Sequence, residues 1–295
     1  MLVSCSEVYY DSPQTCPAPH YLLRLTPGGS NDTNFGASGI NGVNYVDFEL
    51  GGDVDAYADQ LVPLADGGFL LVGTIVTYDG SGYVGDGWLA RFTATGQFDS
   101  SFGQNGMVRQ SGGDVNFDEV AVLADGRLIV SGTLYDGNDL NDSFLARYTA
   151  AGQLDTSFGQ NGVLTPNLAA TCTTDDAGLA FLRPVGAGFE ALRYEDCEDE
   201  ETFKLAATRF DADAQLVGTE VVYDEAALRI LTASDTQALV WKEDRTLVWV
   251  DARTERVGFE ARDVFALTRF GANGALDSSF GTDGTSTFTL DGLSG

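Results

Sequence analysis

The stretch Arg147–Gly162, with the sequence RYTAAGQLDTSFGQNG, decides the fold because the chain repeats it. Clear copies are RLTPGGSNDTNFGASG from Arg24, RFTATGQFDSSFGQNG from Arg91 and RFGANGALDSSFGTDG from Arg269. A degenerate copy, RFDADAQLVG, begins at Arg209 and lacks both the Asp and the Phe-Gly pair. We number these copies 1 to 5 along the chain. Their arginines lie 56 to 67 residues apart, and a period near this length is typical of repeat architectures.

A second pattern alternates with this motif. Residues 61–73 contain two apolar runs joined by Asp66-Gly67, which is a strong hairpin signal. The pattern recurs over 120–132 around Asp125-Gly126, and in weaker form over 179–193 and 226–241. Each period therefore contains four predicted strands: A and B form the hairpin, C carries the arginine, and D follows the final glycine. In the first period only C (21–26) and D (43–50) are recognisable.

Four short strands per period, separated by glycine-rich turns, predict an all-β fold and specifically a β-propeller of four-stranded blades. Four complete A–D sets and one extra C–D pair predict five blades, with the N-terminal extension completing the first. We expect residues 1–20 to form that extension and residues 21–295 a single propeller domain. A β-solenoid is the alternative, but a period near 60 residues is too long for one coil.

These residues carry a resemblance to a known family. The sequence LDTSFGQNG after Ala146-Arg147-Tyr148, with ADGRLIVSG upstream at 124–132, resembles the delta-60 repeat of bacterial β-propeller proteins. The similarity covers roughly residues 21–290 and is weakest in copy 4. The resemblance implies a fold element of secreted and cell-surface proteins, and it implies neither an activity nor catalytic residues.

The repeated residues are interpreted as architecture. The phenylalanines are expected to wedge between adjacent blades, and the glycine after each permits a backbone conformation closed to other residues. The aspartates suit Asx-type turns and can accept a hydrogen bond from the arginine eight residues earlier. A ring of arginines around a ligand is the functional alternative. The repeat positions are Arg24, Arg91, Arg147, Arg209, Arg269, Phe35, Phe102, Phe158, Phe280, Asp32, Asp99, Asp155 and Asp277.

The net charge of −28 repels nucleic acid and anionic lipid, which excludes nucleic-acid binding. Such a surface favours solubility in high salt and affinity for cations. No segment approaches 18 consecutive apolar residues, so no transmembrane segment is expected.

The four cysteines predict two disulfides. Cys172 and Cys197 are placed symmetrically about a predicted turn near 184–186, and Cys5 and Cys16 would close a short loop in the extension. Disulfides indicate an oxidising, extracellular or cell-surface location. Four free thiols in a cytosolic protein are the alternative. Leu2-Val3-Ser4-Cys5 also resembles the sequence before the lipidated cysteine of bacterial lipoproteins, which applies if Met1 is not the native start.

The B–C and D–A connections share one face of a propeller, and here they are rich in Asp and Glu. Calcium takes six to eight oxygen ligands in irregular geometry, so a B–C loop of this kind could bind it. The second choice is the loop 79–86, and the alternative is that these are ordinary turn residues. The preferred ligands are Asp136, Asn138, Asp139, Asn141 and Asp142. No other cofactor is expected.

Three functions remain open from the sequence. The favoured one is a non-catalytic surface module that binds a protein or glycan partner through the acidic face. The chain has a single histidine, His20, and shows no Ser/His/Asp or Cys/His arrangement and no phosphate loop. The second is a structural unit of a larger surface assembly. The third is a glycoside hydrolase using two carboxylates, drawn from residues that begin the innermost strands: Asp59, Asp118, Asp176 and Asp224.

Overall fold

The computed structural model describes most of the repeated region and part of its surroundings. The described residues are 2–5, 20–26, 28, 30–36, 43–46, 54–78, 80, 82–111, 113–135, 142–165, 176–197, 202–217, 221–223, 236–242, 244–257 and 260–289. Within these ranges every regular element is a β-strand, as the sequence predicts.

The described strands form five sheets, in each of which neighbouring strands follow one another along the chain. Every pairing whose register is described is antiparallel. Sheet 1 contains β1 (Leu2–Cys5), β2 (His20–Arg24) and β3 (Val43–Val46). Sheet 2 contains β4 (Val54–Pro63), β5 (Phe69–Tyr78), β6 (Tyr83–Phe92) and β7 (Met107–Gln110). Sheet 3 contains β8 (Asp114–Val122), β9 (Leu128–Tyr135), β10 (Asp142–Tyr148) and β11 (Val163–Leu164).

The remaining strands form two further sheets of four. Sheet 4 contains β12 (Asp176–Val185), β13 (Gly188–Cys197), β14 (Thr202–Phe210) and β15 (Val221–Val222). Sheet 5 contains β16 (Thr236–Trp241), β17 (Leu247–Val257), β18 (Glu260–Phe270) and β19 (Thr285–Thr289). Four motif arginines lie next to the end of the third strand of a four-stranded sheet, as predicted for strand C, and Arg24 ends the middle strand of the three-stranded sheet 1. In sheet 1 the extra C–D pair gains a third strand, because β1 pairs with β2 from Leu2↔Arg24 to Cys5↔Tyr21.

One predicted hairpin was wrong in position. The sequence placed the last A–B hairpin at 226–241, whereas the observed hairpin joins β16 to β17 through residues 242–246. The turn there keeps the Asp but not the Gly: Asp244 Oδ1 accepts the Thr246 N–H at 2.9 Å, and Arg245 has φ 67°. In the turn after β4, Asp66 Oδ1 accepts the Gly68 N–H at 2.9 Å and Gly67 has φ 84°. Because Arg245 stands where the other hairpins have glycine, the Asp-Gly signal is absent and the sequence did not predict this turn.

The chain divides into two compact units. Unit 1 comprises Met1–Leu168, Gly178–Glu190 and Phe210–Gln215, and unit 2 comprises Ala169–Ala177, Ala191–Arg209 and Leu216–Gly295. In unit 1 the core lies between successive sheets. Side chains of sheets 1 and 2 pack together around Leu22, Phe35, Phe69 and Trp88. A second cluster joins sheets 2 and 3.

Unit 2 has its own aromatic core around Tyr223. The Tyr223 ring meets Phe270 edge to face, with centroids 6.0 Å apart. Its hydroxyl accepts the Trp241 Nε1–H at 2.8 Å and donates to the Arg245 carbonyl at 2.9 Å. The hydroxyl is therefore satisfied, which is the usual condition for burying a tyrosine.

Candidate functional site

The motif aspartates form the same local structure in four copies. In copies 1, 3 and 5 the arginine Nε donates to the aspartate Oδ2 eight residues later, at 2.9, 2.8 and 2.8 Å. In copy 2 the Arg91 Nε and Asp99 Oδ2 are 3.2 Å apart. The other carboxylate oxygen accepts the backbone N–H two residues on, at 3.1 Å in each copy, which is the geometry of an Asx turn. The Ser157 hydroxyl and backbone and the Arg147 charge hold the pKa of Asp155 below its usual value.

The arginines of the first three copies also contact the turn of the next copy. Arg24 Nη1 donates to the Ala94 carbonyl, and Arg91 Nη1 lies 3.5 Å from the Ala150 carbonyl. Arg147 Nη1 donates to the Ala212 carbonyl at 2.7 Å and to Asp213 Oδ1 at 2.6 Å. We call this the arginine–turn contact. Each of these three repeats thereby contacts its successor through a main-chain acceptor, and Arg147 uses the Asp213 carboxylate in addition.

The Phe-Gly pairs reinforce the arginine–turn contact. Gly36 N–H donates to the Thr95 carbonyl at 2.9 Å, and Gly103 N–H donates to the Ala151 carbonyl at 2.8 Å. The Phe35 ring lies directly over Gly96, where an added Cβ would come within 2.8 Å of the ring. Arg24 and Arg147 lie over the rings of Phe35 and Phe158, each 4.8 Å from the centroid. The motif residues are thus occupied in contacts within the protein.

Phe280 differs from its equivalents. Phe35, Phe102 and Phe158 are fully buried, whereas Phe280 is only half-buried, although Arg269 still lies 4.6 Å from its ring centroid.

Two carboxylates of the innermost predicted strands lie on β-bulges. The register of β4 with β5 shifts between Ala58 and Gln60, so Asp59 is the extra residue. The register of β8 with β9 shifts between Phe117 and Glu119, so Asp118 is the extra residue. Bulges re-aim side chains and are frequent beside functional sites. Asp176 and Asp224, their proposed counterparts, fall where the structure describes no side chain.

The bulges gather a group of acids in unit 1, which we call the bulge carboxylates: Asp59, Asp118 and Glu119. Gln60 Nε2 donates to Glu119 Oε2, and Gln60 Oε1 accepts the Val120 N–H at 2.7 Å. Thr133 Oγ1 donates to Asp118 Oδ2 at 3.1 Å. The two Gln60 hydrogen bonds join sheets 2 and 3 in addition to their apolar core, and the Thr133 bond lies within sheet 3.

The bulge carboxylates have raised pKa values. Burial, with smaller contributions from the charges of Asp118 and Asp59, raises the pKa of Glu119 to about 8. Burial and then the charge of Asp118 raise the pKa of Asp59 to about 6. The Asp59 side chain still meets solvent; protein surrounding a water-accessible carboxylate is enough to weaken its hydration. Burial also raises the pKa of Asp118, against the hydrogen bond from Thr133.

Exposed tyrosines lie at strand ends on the B–C and D–A side of sheets 2 and 3. Tyr78 ends β5 and Tyr83 begins β6; they are 53% and 73% exposed, and their ring centroids are 5.4 Å apart. Tyr135 ends β9 and is 39% exposed. Between them, Asp114 and Asn116 begin β8. We call these five residues the tyrosine ledge.

The opposite ends of the same sheets contain a shallow cavity of about 310 Å³. Its lining is mainly apolar and includes Leu70, Phe102 and Leu128, with the Arg91–Asp66 ion pair at 2.7 Å beside them. The cavity lies at the A–B turns and is thus separate from the tyrosine ledge.

Several predicted sites fall outside what the structure describes. Residues 136–141 of the preferred calcium loop are not described, nor is the side chain of Asp142, and the same holds for the disulfide sulfurs of Cys5, Cys16, Cys172 and Cys197. In the second-choice loop, Asp86 is not available as a ligand, because it pairs with Arg109 at 2.8 and 2.5 Å. Among the described residues no group of three or more His, Cys, Asp and Glu is arranged to hold a metal ion. The same residues include no helix long and apolar enough to cross a membrane.

Sequence reasoning missed the bulges, although a signal for them exists. An added Cβ at Gly73 would lie 1.9 Å from the Tyr57 carbonyl oxygen, and one at Gly132 would lie 2.1 Å from the Asn116 carbonyl oxygen. A glycine in the middle of strand B is therefore required where strand A bulges towards it. Both glycines stand at the same point of the repeat, and in sheet 4 the corresponding residue is Arg193.

Comparison with known proteins supports the repeat architecture. Residues 123–158 match the model of a family described as "Domain of unknown function (DUF5122) beta-propeller". The match begins at the β8–β9 turn and ends at Phe158, so it covers the B strand, the C strand and the motif of copy 3. No curated protein and no solved structure matched the chain.

Proposed function

We propose that this protein is a five-bladed β-propeller of the delta-60 repeat type, with the five sheets as its blades. We further propose that it acts as a non-catalytic binding module outside the cell or on the cell surface. The observation that carries the proposal is the tyrosine ledge: large aromatic side chains stand exposed at strand ends, beside the carboxylate of Asp114, on a repeat scaffold. Exposed aromatics on loops of a rigid scaffold characterise recognition surfaces. The motif residues favour this interpretation, since the arginines and aspartates of copies 1, 2, 3 and 5 pair with each other and the arginines of the first three copies also contact the next repeat.

The test is a calorimetric panel of cationic, neutral and acidic peptides and neutral oligosaccharides, with product release measured in parallel. We expect at least one member to bind and none to be converted. Conversion of any member would contradict the non-catalytic role, and a panel without binders would contradict the binding role.

A glycoside hydrolase is the second candidate, and the bulge carboxylates favour it. The charge of Asp118 adds to the burial that raises the pKa of Asp59 to about 6, and a carboxyl group with such a pKa can serve as a general acid beside a second carboxylate. Against it stands the recurrence of these residues with the repeat, since a catalytic pair needs two different roles. Release of reducing sugar that is lost in both Asp59→Asn and Asp118→Asn would establish the hydrolase instead.

A further inference from the structure

The tyrosine ledge is continuous across sheets 2 and 3 of unit 1. Tyr78 and Tyr83 are register partners at the end of the β5–β6 hairpin. Gly85 is two residues beyond Tyr83 and therefore projects from the same face of β6. A Cβ added at Gly85 would lie 2.9 Å from Asp114 Oδ1, so Asp114 lies on that face, and the same oxygen accepts the Gly85 N–H at 2.7 Å. Tyr83 and Asp114 are thus neighbours, although they belong to different sheets.

The far side of the ledge is closed by Tyr135. Asp114 and Tyr135 are register partners in the β8–β9 pair, and Asn116 Nδ2 lies 3.4 Å from the Tyr135 hydroxyl. Asn116 Oδ1 would lie 2.7 Å from a Cβ at Gly85. The side chains of Asp114 and Asn116 therefore both pack against Gly85. The ledge consists of two aromatic walls with a carboxylate and an amide between them.

The carboxylate of Asp114 retains capacity for a ligand. Its Oδ1 is engaged by Gly85, and no described residue donates to its Oδ2 or forms an ion pair with it. Arg109 in β7 of the same unit is already paired with Asp86 at 2.5 Å. An incoming cation would therefore meet a carboxylate oxygen without another partner among the described residues and the exposed tyrosine rings beside it.

We propose that the tyrosine ledge binds an arginine- or lysine-bearing segment of a partner protein. A guanidinium or ammonium group gains from a carboxylate and from the face of a tyrosine ring together. The net charge of −28 steers cations towards the protein from a distance. A neutral glycan would use the rings but would gain nothing from the charge, and an acidic partner would be repelled. This proposal rests on the binding function proposed above and names the ligand chemistry of its site.

The experiment is calorimetry at low salt with the peptide Ser-Gly-Arg-Gly-Arg-Gly-Ser. Its matched control replaces each arginine with citrulline, which keeps the shape and removes the charge. We expect the arginine peptide to bind and the citrulline peptide not to bind. Raising the salt to ~1 M should weaken binding, since screening shortens the range of the attraction.

Variants locate the site. Tyr83→Ala and Asp114→Asn should each weaken binding about tenfold, while Tyr83→Phe, which keeps the ring, should bind as the parent does. Asp283→Asn is the charge control: it removes one negative charge in the copy 5 motif, outside the five ledge residues, where Asn105 and Asn161 hold the equivalent positions in copies 2 and 3. It should leave binding unchanged. Asparagine at 114 can still accept the Gly85 N–H, and Tyr83 is too exposed to support the fold, so each variant should unfold at the parent's temperature.

The outcomes separate this proposal from the binding function itself. Equal weakening by Asp114→Asn and Asp283→Asn would reveal attraction to the overall charge and would overturn the ledge as the site. Failure of the arginine peptide while an oligosaccharide or another panel member binds would also overturn it, with the binding function intact. If no member of the panel binds, both the tyrosine ledge as the binding site and the binding function itself are contradicted.

Discussion

Arg147 is the most buried of the motif arginines. Its side chain is 3% exposed, whereas those of Arg24 and Arg91 are 26% exposed and that of Arg269 is 31% exposed. It donates to Asp155, to Asp213 and to the Ala212 carbonyl. A buried guanidinium requires such a set of acceptors, because unpaired charge in the interior is costly.

We therefore expect Arg147→Ala to lower the free energy of unfolding by about 2–3 kcal/mol, the range for hydrogen bonds to charged groups. Arg91→Ala is the matched comparison and should cost about 1 kcal/mol or less, since its ion pairs are more exposed. Urea denaturation of both variants measures the difference. Equal costs would show that burial of the guanidinium does not determine its contribution.

The wedge role of the phenylalanines can be tested one copy at a time. Phe158→Ala should cost roughly 3–5 kcal/mol because the ring is fully buried, and Phe102→Ala should cost the same. Phe280→Ala should cost about half as much or less, since Phe280 is only half-buried. Thermal and urea unfolding provide the values, and an equal loss at 280 would contradict this ranking. From the repeat alone all copies were expected to be equivalent.

Glu119 is expected to make stability depend on pH. Its folded pKa, about 8, lies above its ordinary value of 4.5, so folding takes up a proton between these values. The contribution is fully present below pH 4.5 and is lost as pH rises through 8. The free energy of unfolding should decline by a few kcal/mol across this window.

The variant Glu119→Gln should remove that decline, because an amide stays neutral at every pH and can accept the same hydrogen bonds. Asp59→Asn is the companion variant. It should remove only the pH dependence of the free energy of unfolding that lies below about pH 6, where Asp59 titrates. Unfolding curves at pH 4.5, 6 and 8.5 are the measurement. Parallel pH profiles for the parent and Glu119→Gln would contradict the buried-acid account.

At the scale of elements, the bulges depend on glycine in the neighbouring strand. Gly132→Ala would place a methyl group 2.1 Å from the Asn116 carbonyl oxygen and 2.6 Å from the Phe144 ring. We expect a loss of about 1–3 kcal/mol, as for other overpacked sites, and a return of the Asp118 and Glu119 pKa values towards normal. Carbon-detected NMR titration of the carboxyl groups reports the second effect.

Gly113→Ala is the control for the glycine substitution. An added Cβ there would come no closer than 3.5 Å to any neighbour. It should change neither stability nor the two pKa values. If Gly132→Ala and Gly113→Ala lower the free energy of unfolding equally, the effect comes from replacing a glycine and not from the bulge.

The sequence predicted the elements well where two signals agreed. Asp66-Gly67 and Asp125-Gly126 located their hairpins because Asp supplies the side-chain acceptor and Gly supplies the positive φ. At Asp244-Arg245 only the first signal remains, and the predicted hairpin was misplaced. The bulges and the burial of Glu119 depend on the approach of a neighbouring strand, which no local pattern encodes. The tyrosine ledge was missed for the same reason, since it joins residues of two repeats.

At the scale of the whole molecule, the paired cysteines remain a prediction. Mass spectrometry of the unreduced protein should show Cys172 joined to Cys197. Closing a loop of 25 residues stabilises by on the order of 3 kcal/mol in the loop-entropy account, so reduction should lower the melting temperature without dissolving the fold. Four alkylatable thiols in the native protein would contradict both the pairing and the oxidising location.

The arginine–turn contact has a consequence for how the copies can diverge. The donor side needs a particular arginine, but the acceptor common to all three contacts is a main-chain carbonyl that every residue type provides; only Arg147 adds a side-chain acceptor, Asp213. Substitutions in an acceptor turn therefore need not break the contact. Copy 4 is an example: it lacks the motif Asp and the Phe-Gly pair, yet its Ala212 carbonyl still accepts a hydrogen bond from Arg147. The repeats can thus diverge in sequence while the arginine–turn contact between neighbouring repeats is retained.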